Sequence, residues 1–224
     1  MNYVSEKWKR KFPRIGHLEN SKSISSDDIY TNANFIGKRI VITEKLDGEN
    51  TVMGRGYCHA RSMDSGRAPW RDYILRIHSF VSNNIPPSMR ICGENLYAEH
   101  SIQYKGFLPF YVFQITDEDK VLSWEDTCIY AEILGLTMVP LIYIGEYQPV
   151  LFQQDIFKFR SLRESQEQET EGYVIRNADE FDEVDFDKNI AKWVRPNHIK
   201  TDEHWTKTWK PNQNIRDLIW KAYY

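Results

Sequence analysis

Lys45 stands between Glu44 and Asp47 in the stretch "TEKLDGEN" (43–50), directly after the apolar run "IGKRIVI". A strand that ends in lysine usually points its ammonium into water, and Asp-Gly usually makes a hairpin turn. A lysine pressed among carboxylates at a strand end is also the setting of an amine nucleophile. Residues 44–50 alone leave both readings open. Three further clusters share the form of an apolar strand with charge at its end: "GENLY" (93–97), "EGYVIR" (171–176) and "KWVRP" (192–196). Taken singly, each is an exposed strand end. Taken together, they look like a charged pocket built on a sheet, furnished by Lys45, Glu94, Glu171, Lys192 and Arg195.

The elements that must carry these residues are legible from pattern. A polar, irregular stretch runs to about residue 34. Strands are predicted in "KRIVITEKL", toward the end of "PPSMRICGENLY", in "LPFYVFQITD" (108–117), in "TMVPLIYIG", in "YVIRN" and in "NIAKWVRP" (189–196), the last stopped by proline. Residues 71–83 have helical spacing, with Ile74, Ile77, Phe80 and Val81 on one face. Residues 123–135 read as a helix capped by Ser123, with Asp126 in the reciprocal position of a capping box and Gly135 at its end. "ESQEQETEG" (164–172) reads as a polar loop, and the C-terminal tail ends in a predicted helix. Neither an internal repeat nor a Gly/Ser-rich linker is visible. The fold class is mixed α/β with strands dominant.

Composition narrows the partners without naming them. The 224 residues suffice for one domain with a sizeable core. Aromatics reach 14%, so a core or a binding surface is rich in rings. A formal net charge of −3 does not advertise nucleic acid, yet a basic groove can be offset elsewhere, and "DEFDEVDFD" (179–187) is such an acidic segment. Three dispersed cysteines, Cys58, Cys92 and Cys128, contain no CxxC pair and suggest a reducing, cytoplasmic setting. Neither a secretory signal nor an apolar run of about 18 residues is present, so no membrane association is expected. His59, His78, His100, His198 and His204 form no metal-spaced pair and read as surface or core-edge residues. Trp193, Trp205 and Trp209 interleave with Lys192, Lys200, Lys207 and Lys210, a mixture that suits either single-strand binding or a tail packed on the core.

In their order and spacing the clusters resemble the nucleotidyltransferase motifs of the polynucleotide ligase and mRNA-capping superfamily. "EKLDGEN" resembles the nucleophile motif and "ARS" (60–62) the short arginine motif that follows it. "GENLY" resembles the ribose-binding motif and "FYVFQI" (110–115) the aromatic strand that stacks on the base. "EGYVIR" and "KWVR" resemble the last two motifs. The ATP-dependent RNA ligase branch is most similar, through "FPRIGHL", which contains His17, "GENLYAEHSIQY" and "VRPNHIKTDEHW". The likeness runs from about Phe12 to about Trp205. It implies a single minimal nucleotidyltransferase domain (ATP-grasp-like) spanning residues 1–224. Antiparallel sheets would be flanked by helices, with the motifs in 44–196, a tail (197–224) packed on the domain and no separate oligonucleotide-binding barrel.

The same resemblance implies roles. Lys45 would attack the α-phosphate of ATP and hold AMP, with nearby cations (Lys192, Arg195, Arg61) and partial burial favouring its neutral form. Asp47 and Gly48 would shape the turn that exposes it, through the backbone freedom of glycine. Glu44, Asn50, Arg61 and Glu94 would bind the nucleotide, Asn50 and Arg61 through phosphate or sugar oxygens and Glu94 through the ribose hydroxyls. Phe113 would stack on adenine and Val174 close its other face. Lys192 and Arg195 would act on the phosphates, and Glu171 would serve a hard cation, Mg²⁺ or Mn²⁺. The implied substrate is RNA, a nicked duplex or a break with 5′-phosphate and 3′-hydroxyl ends, in RNA repair or processing. A partner subunit could stand in for the missing accessory domain. The alternatives are a GTP-dependent capping-type guanylyltransferase and a catalytically impaired nucleotide- or RNA-binding module. Two departures from the family pattern stand out. The second cation of the last motif falls one place late, at Arg195, so in a regular strand it faces away from Lys192. Where many relatives place an acid after the stacking phenylalanine, this sequence has Gln114.

Overall fold

A computed structural model describes residues 6–19, 21, 29–104, 108–149, 170–196 and 209–212. In chain order its elements are β1 (Gly16–His17), β2 (Arg39–Lys45), β3 (Glu49–Gly54), β4 (Tyr57–Ala60), α1 (Asp72–Val81), β5 (Met89–Asn95), β6 (Phe110–Asp117), β7 (Lys120–Val121), α2 (Trp124–Ile133), β8 (Thr137–Met138), β9 (Leu141–Glu146), β10 (Gly172–Asn177), β11 (Phe181–Asp182), α3 (Phe186–Asn189) and β12 (Ile190–Val194). They form two sheets. One runs β1-β12-β10-β2-β9; the other runs β11-β7-β6-β5-β3-β4, with β8 beside β6. Pairing is antiparallel except for β1 with β12 and β8 with β6.

The helices predicted over 71–83 and 123–135 form, and each packs on the outer face of the second sheet. Ile74 and Val81 of α1 and Ala131 of α2 join Met53, Ile91, Phe110, Val112 and Ile115 in one buried cluster. Ser123 caps α2, its hydroxyl accepting from the Asp126 amide at 3.1 Å while donating to the Asp126 carboxylate at 2.7 Å. Gly135 then takes a left-handed φ of 67°. Phe80 departs from expectation and is 69% exposed. At 3.6 residues per turn it lies about 120° around the helix from Ile74, whereas Val81 returns almost to the same azimuth. "TMVPLIYIG" gives two strands rather than one, because Pro140 separates β8 from β9. The acidic segment is not merely solvated: Glu183 takes Arg90 at 2.8 Å and Arg10 at 3.2 Å. The predicted tail helix and residues 164–169 of the polar loop lie outside the described residues.

The Asp-Gly at 47–48 is not a hairpin corner. β2 belongs to the first sheet and β3 to the second, so Leu46, Asp47 and Gly48 carry the chain from one sheet to the other. Asp47 anchors this crossover. Its carboxylate accepts from the Ser101 amide (2.8 Å), the Ser101 hydroxyl (2.7 Å) and the Ile102 amide (3.1 Å), and its own amide donates to the Tyr104 hydroxyl at 2.8 Å. Gly48 is needed for space rather than for unusual backbone angles: a Cβ there would sit 2.4 Å from the Asn95 carbonyl oxygen and 2.8 Å from a Leu96 methyl. Gly48→Ala is therefore expected to destabilise the fold by about 1–3 kcal/mol, the usual cost of forcing an extra carbon into a packed position. Thermal or urea unfolding measures it. An unchanged midpoint would mean that the crossover yields without cost.

Candidate active site

The inner faces of the two sheets enclose a cleft of about 430 Å³, within the range of small-molecule sites. Register places the lining residues in rows. On the first sheet, Gly172 lies between Lys45 and Val194, Val174 between Thr43 and Lys192, and Arg176 between Val41 and Ile190. Period two turns Lys45, Thr43, Val174, Arg176, Ile190 and Lys192 toward the cleft. On the second sheet, Asn50 is opposite Glu94, and Glu94 is opposite Tyr111. Pairing then jumps from Gly93–Val112 to Cys92–Gln114, leaving Phe113 as the extra residue of a bulge. The bulge reverses the alternation of β6, so Val112 and Ile115 both enter the helix-side core while Phe113 and Gln114 both line the cleft.

The sequence-predicted residues converge. Lys45, Glu44, Asn50, Arg61, Glu94, Phe113, Val174 and Lys192 all line the cleft. Glu171 precedes β10 and holds Lys45, with Oε1 2.5 Å from Nζ. Arg195 does not line the cleft. β12 pairs with β10 without a register shift through Val194, and Arg195 follows the strand end, its amide donating to the Glu171 carbonyl at 3.0 Å. With no bulge in β12, nothing re-aims the displaced cation toward Lys192. His17 also lies away from the cleft: it is buried on β1, its Nδ1 2.8 Å from the Ser21 hydroxyl, which accepts from the Val194 amide. Trp193 stacks on Tyr173 at 5.6 Å and packs with the outer face of its sheet, while Trp209 packs on Trp70 at 5.4 Å. His198, His204 and Trp205 lie outside the described residues. Pattern reasoning did not single out several cleft residues. Phe12 meets Phe113 edge-on at 5.3 Å, Val139 comes from the loop after β8, and Arg14 and Arg176 contribute cations. The twofold period of "EGYVIR" could have flagged Arg176, two places after Val174.

The charges invert one expectation. Burial alone would lower the Lys45 pKa, but Glu171, then Glu94 and Asp47, outweigh it and raise the pKa above the ordinary lysine value. The protein's own groups thus keep Lys45 an ammonium; the expected neutralisation by Lys192, Arg195 and Arg61 is not what this geometry gives. Glu94 moves the other way from a normal carboxyl. Burial pushes it up to about 8, against the pull of Lys45, and the charges of Glu171 and Asp47 add to the rise. Its Oε1 accepts from the Gly48 amide at 3.2 Å. Asn50 Oδ1 is buried with no hydrogen-bond partner among the described residues, a polar atom that a ligand donor would satisfy. Among the described residues no group of three or more His, Cys, Asp or Glu is arranged to hold a metal.

A lysine held by a carboxylate stands at one end of a two-sheet cleft with an apolar slot beyond it, and solved structures share the fold. An archaeal ATP-dependent RNA ligase superimposes with a TM-score of 0.56 at 18% identity, over 83% of this chain and 48% of that one. A Naegleria gruberi RNA ligase with ATP and Mn gives 0.51 at 20%, over 82% and 62%. A putative ATP-dependent DNA ligase from Aquifex aeolicus gives 0.50 at 19%, over 83% and 50%. The chain therefore spans about half to three-fifths of the length of these proteins. No curated protein matches the sequence. The family model for RNA ligase matches residues 38–194, and the chain belongs to the RNA ligase family.

The raised pKa of Glu94 carries a sign. A carboxyl with pKa about 8 folded and 4.5 unfolded contributes stability that is fully present below pH 4.5 and is lost as pH rises through 8. Glu94→Gln removes that dependence. Relative to the parent protein, the variant is expected to gain melting temperature between pH 5 and pH 8.5. An identical difference at both pH values would show that Glu94 ionises as an ordinary carboxyl.

Proposed function

We propose that this protein is an ATP-dependent RNA ligase that takes AMP onto Lys45, passes it to an RNA 5′-phosphate and seals that end to a 3′-hydroxyl. The observation that carries the reading is the 2.5 Å pair of Lys45 with Glu171 beside an apolar slot made by Phe113 and Val174. Membership of the RNA ligase family supports RNA as the substrate.

In the first step Lys45 gives up its proton, for which Glu171 Oε1 is the nearest acceptor, and Nζ attacks the α-phosphorus. The N–P bond forms, the P–O bond to the β-phosphate breaks, and pyrophosphate leaves. Lys192, one row beyond Lys45, and Arg61 face the phosphates and oppose the charge that grows on them. Glu94 and Asn50 meet the ribose. In the second step an RNA 5′-phosphate oxygen attacks the lysyl-AMP, restoring Lys45 and forming a 5′–5′ pyrophosphate linkage. In the third, the 3′-hydroxyl attacks that 5′-phosphate and AMP leaves. Glu171, beside Lys45, would hold a hard cation such as Mg²⁺ or Mn²⁺, whose charge would oppose that of the phosphates. Bound there, the ion would neutralise phosphate charge and compete with Lys45 for Glu171. Arg195, outside the cleft, is assigned to RNA rather than to the nucleotide.

RNA repair at nicks or breaks, with a partner subunit supplying further substrate grip, fits this chemistry. Cys58, Cys92 and Cys128 are free, as suits the reducing cytoplasm, and no helix among the described residues is long and apolar enough to cross a membrane.

Incubation with labelled ATP or GTP and Mg²⁺, followed by a denaturing gel, tests the first step. A label that is acid-labile and base-stable is expected from ATP. Lys45→Ala and Lys45→Arg are expected to abolish it, since arginine stays protonated. Labelling of Lys45→Ala would contradict the assignment, and a label from GTP alone would favour a guanylyltransferase.

A further inference from the structure

Arg61 lines the cleft from outside any strand. It follows the end of β4 and opens the segment of residues 61–71 that leads into α1. Local bonds fold that segment. The Ser65 amide and hydroxyl both donate to the Ser62 carbonyl, at 3.1 and 2.6 Å, and the Ala60 amide donates to the Ser65 hydroxyl at 3.0 Å. The Arg71 amide donates to the Ala68 carbonyl at 2.9 Å. Two turns built this way still need an anchor on the sheet.

Glu49 supplies it. It opens β3, one residue before the cleft-lining Asn50, and alternation turns it to the opposite face. Its carboxylate takes Arg71 in a two-pronged pair, Nη2 to Oε1 at 2.5 Å and Nε to Oε2 at 2.8 Å, and the Trp70 indole N–H donates to Oε1 at 3.2 Å. Arg71 Nη1 donates to the Gly66 carbonyl in the middle of the segment. The Trp70 carbonyl accepts from Asn95 Nδ2 at 3.2 Å, beside Glu94 on β5. One guanidinium thus joins β3, the middle of the segment and the approach to α1. The pair is well shielded, with 19% of the Arg71 side chain and 11% of the Glu49 side chain exposed. A lysine ammonium lacks the planar fork that makes these bonds at once. The other ion pair of the segment, Arg67 with Asp72 at 3.6 Å, is open to water and contributes little.

We infer that Glu49 is a positioning residue: it holds Arg71, Arg71 holds the 61–71 segment, and that segment delivers Arg61 to the nucleotide phosphates. The inference rests on the nucleotide-binding reading above. Glu49 does not line the cleft, and its charge is the wrong sign for phosphate, so its contribution is geometric. The two effects have opposite signs. Were Glu49 to act only through its charge, removing that charge would tighten the binding of a polyphosphate. Because it holds Arg61, removing it weakens polyphosphate binding and leaves nucleoside binding alone.

Calorimetric binding of α,β-methylene-ATP with Mg²⁺, whose α–β bridge attack cannot break, and of adenosine to the intact protein tests this. Glu49→Gln and Arg71→Lys are each expected to weaken the analogue by about tenfold, the scale of one charged hydrogen bond, with adenosine unchanged. Glu49→Gln should add no further loss to Arg61→Ala, since the two act as a unit. Amide hydrogen exchange over residues 61–70 should quicken in Glu49→Gln. Should that variant fail to fold, Arg71→Lys, which keeps both charges, carries the same test. Analogue binding that is unchanged or tighter in Glu49→Gln, an equal loss of adenosine, full additivity with Arg61→Ala, or a parent protein that does not bind the analogue overturns the inference. Labelling of Lys45 by ATP is read separately: analogue binding by a parent protein that takes no label would sink the ligase reading and leave the role of Glu49 standing.

Discussion

The ion pair between Lys45 and Glu171 is the constraint on which the rest of the site depends. Lys45 ends β2 and Glu171 immediately precedes β10, and register sets Lys45 opposite Gly172, so the carboxylate arrives beside the ammonium by strand pairing alone. Glu171 is itself held, its carbonyl accepting from the Arg195 amide, and Gly172 lets the chains close, since a Cβ there would lie 1.9 Å from the Trp193 carbonyl oxygen. Removing one member of a largely desolvated pair strands the other. The pair also keeps the lysine charged, whereas attack on phosphorus requires a neutral amine. On the proposed reading the resting arrangement opposes attack, and Glu171 would have to release Lys45 before Nζ could act.

Around that pair the two sheets act as matched jaws. The crossover at Leu46, Asp47 and Gly48 delivers the chain from one jaw to the other within three residues, and Asp47 ties it to the Ser101–Tyr104 segment through four hydrogen bonds. The helices contribute indirectly: α1 and α2 pack on the outer face of the second sheet and fix β5 and β6. The Phe113 bulge has the most consequence for its size. One extra residue turns both Phe113 and Gln114 inward, where a regular strand would offer only one of them.

Much of this was legible in the sequence. Strand patterns ending in charge located β2, β5, β10 and β12, and the order of their clusters pointed to one pocket. Ser123 and Gly135 marked α2 because caps are local chemistry. What the sequence hid depends on pairing across the fold. Asp-Gly reads as a hairpin until the partner of each flanking strand is known. A one-residue bulge leaves no mark in "FYVFQI". Phe80 was misplaced through a choice of helical azimuth. The sign of the Lys45 shift depends on which charges come nearest, and the carboxylates of Glu171 and Glu94 do so although basic residues were the expected neighbours.

The most direct test of this account is the pKa of Lys45 itself, measured as the pH dependence of its modification by an amine-selective reagent and read at Lys45 by mass spectrometry, in the parent protein and in Glu171→Gln. The account predicts a pKa above the ordinary lysine value in the parent. In the variant it should fall clearly, because burial then acts on the amine with less opposition. An unchanged pKa in Glu171→Gln would show that Glu171 does not control the charge of Lys45.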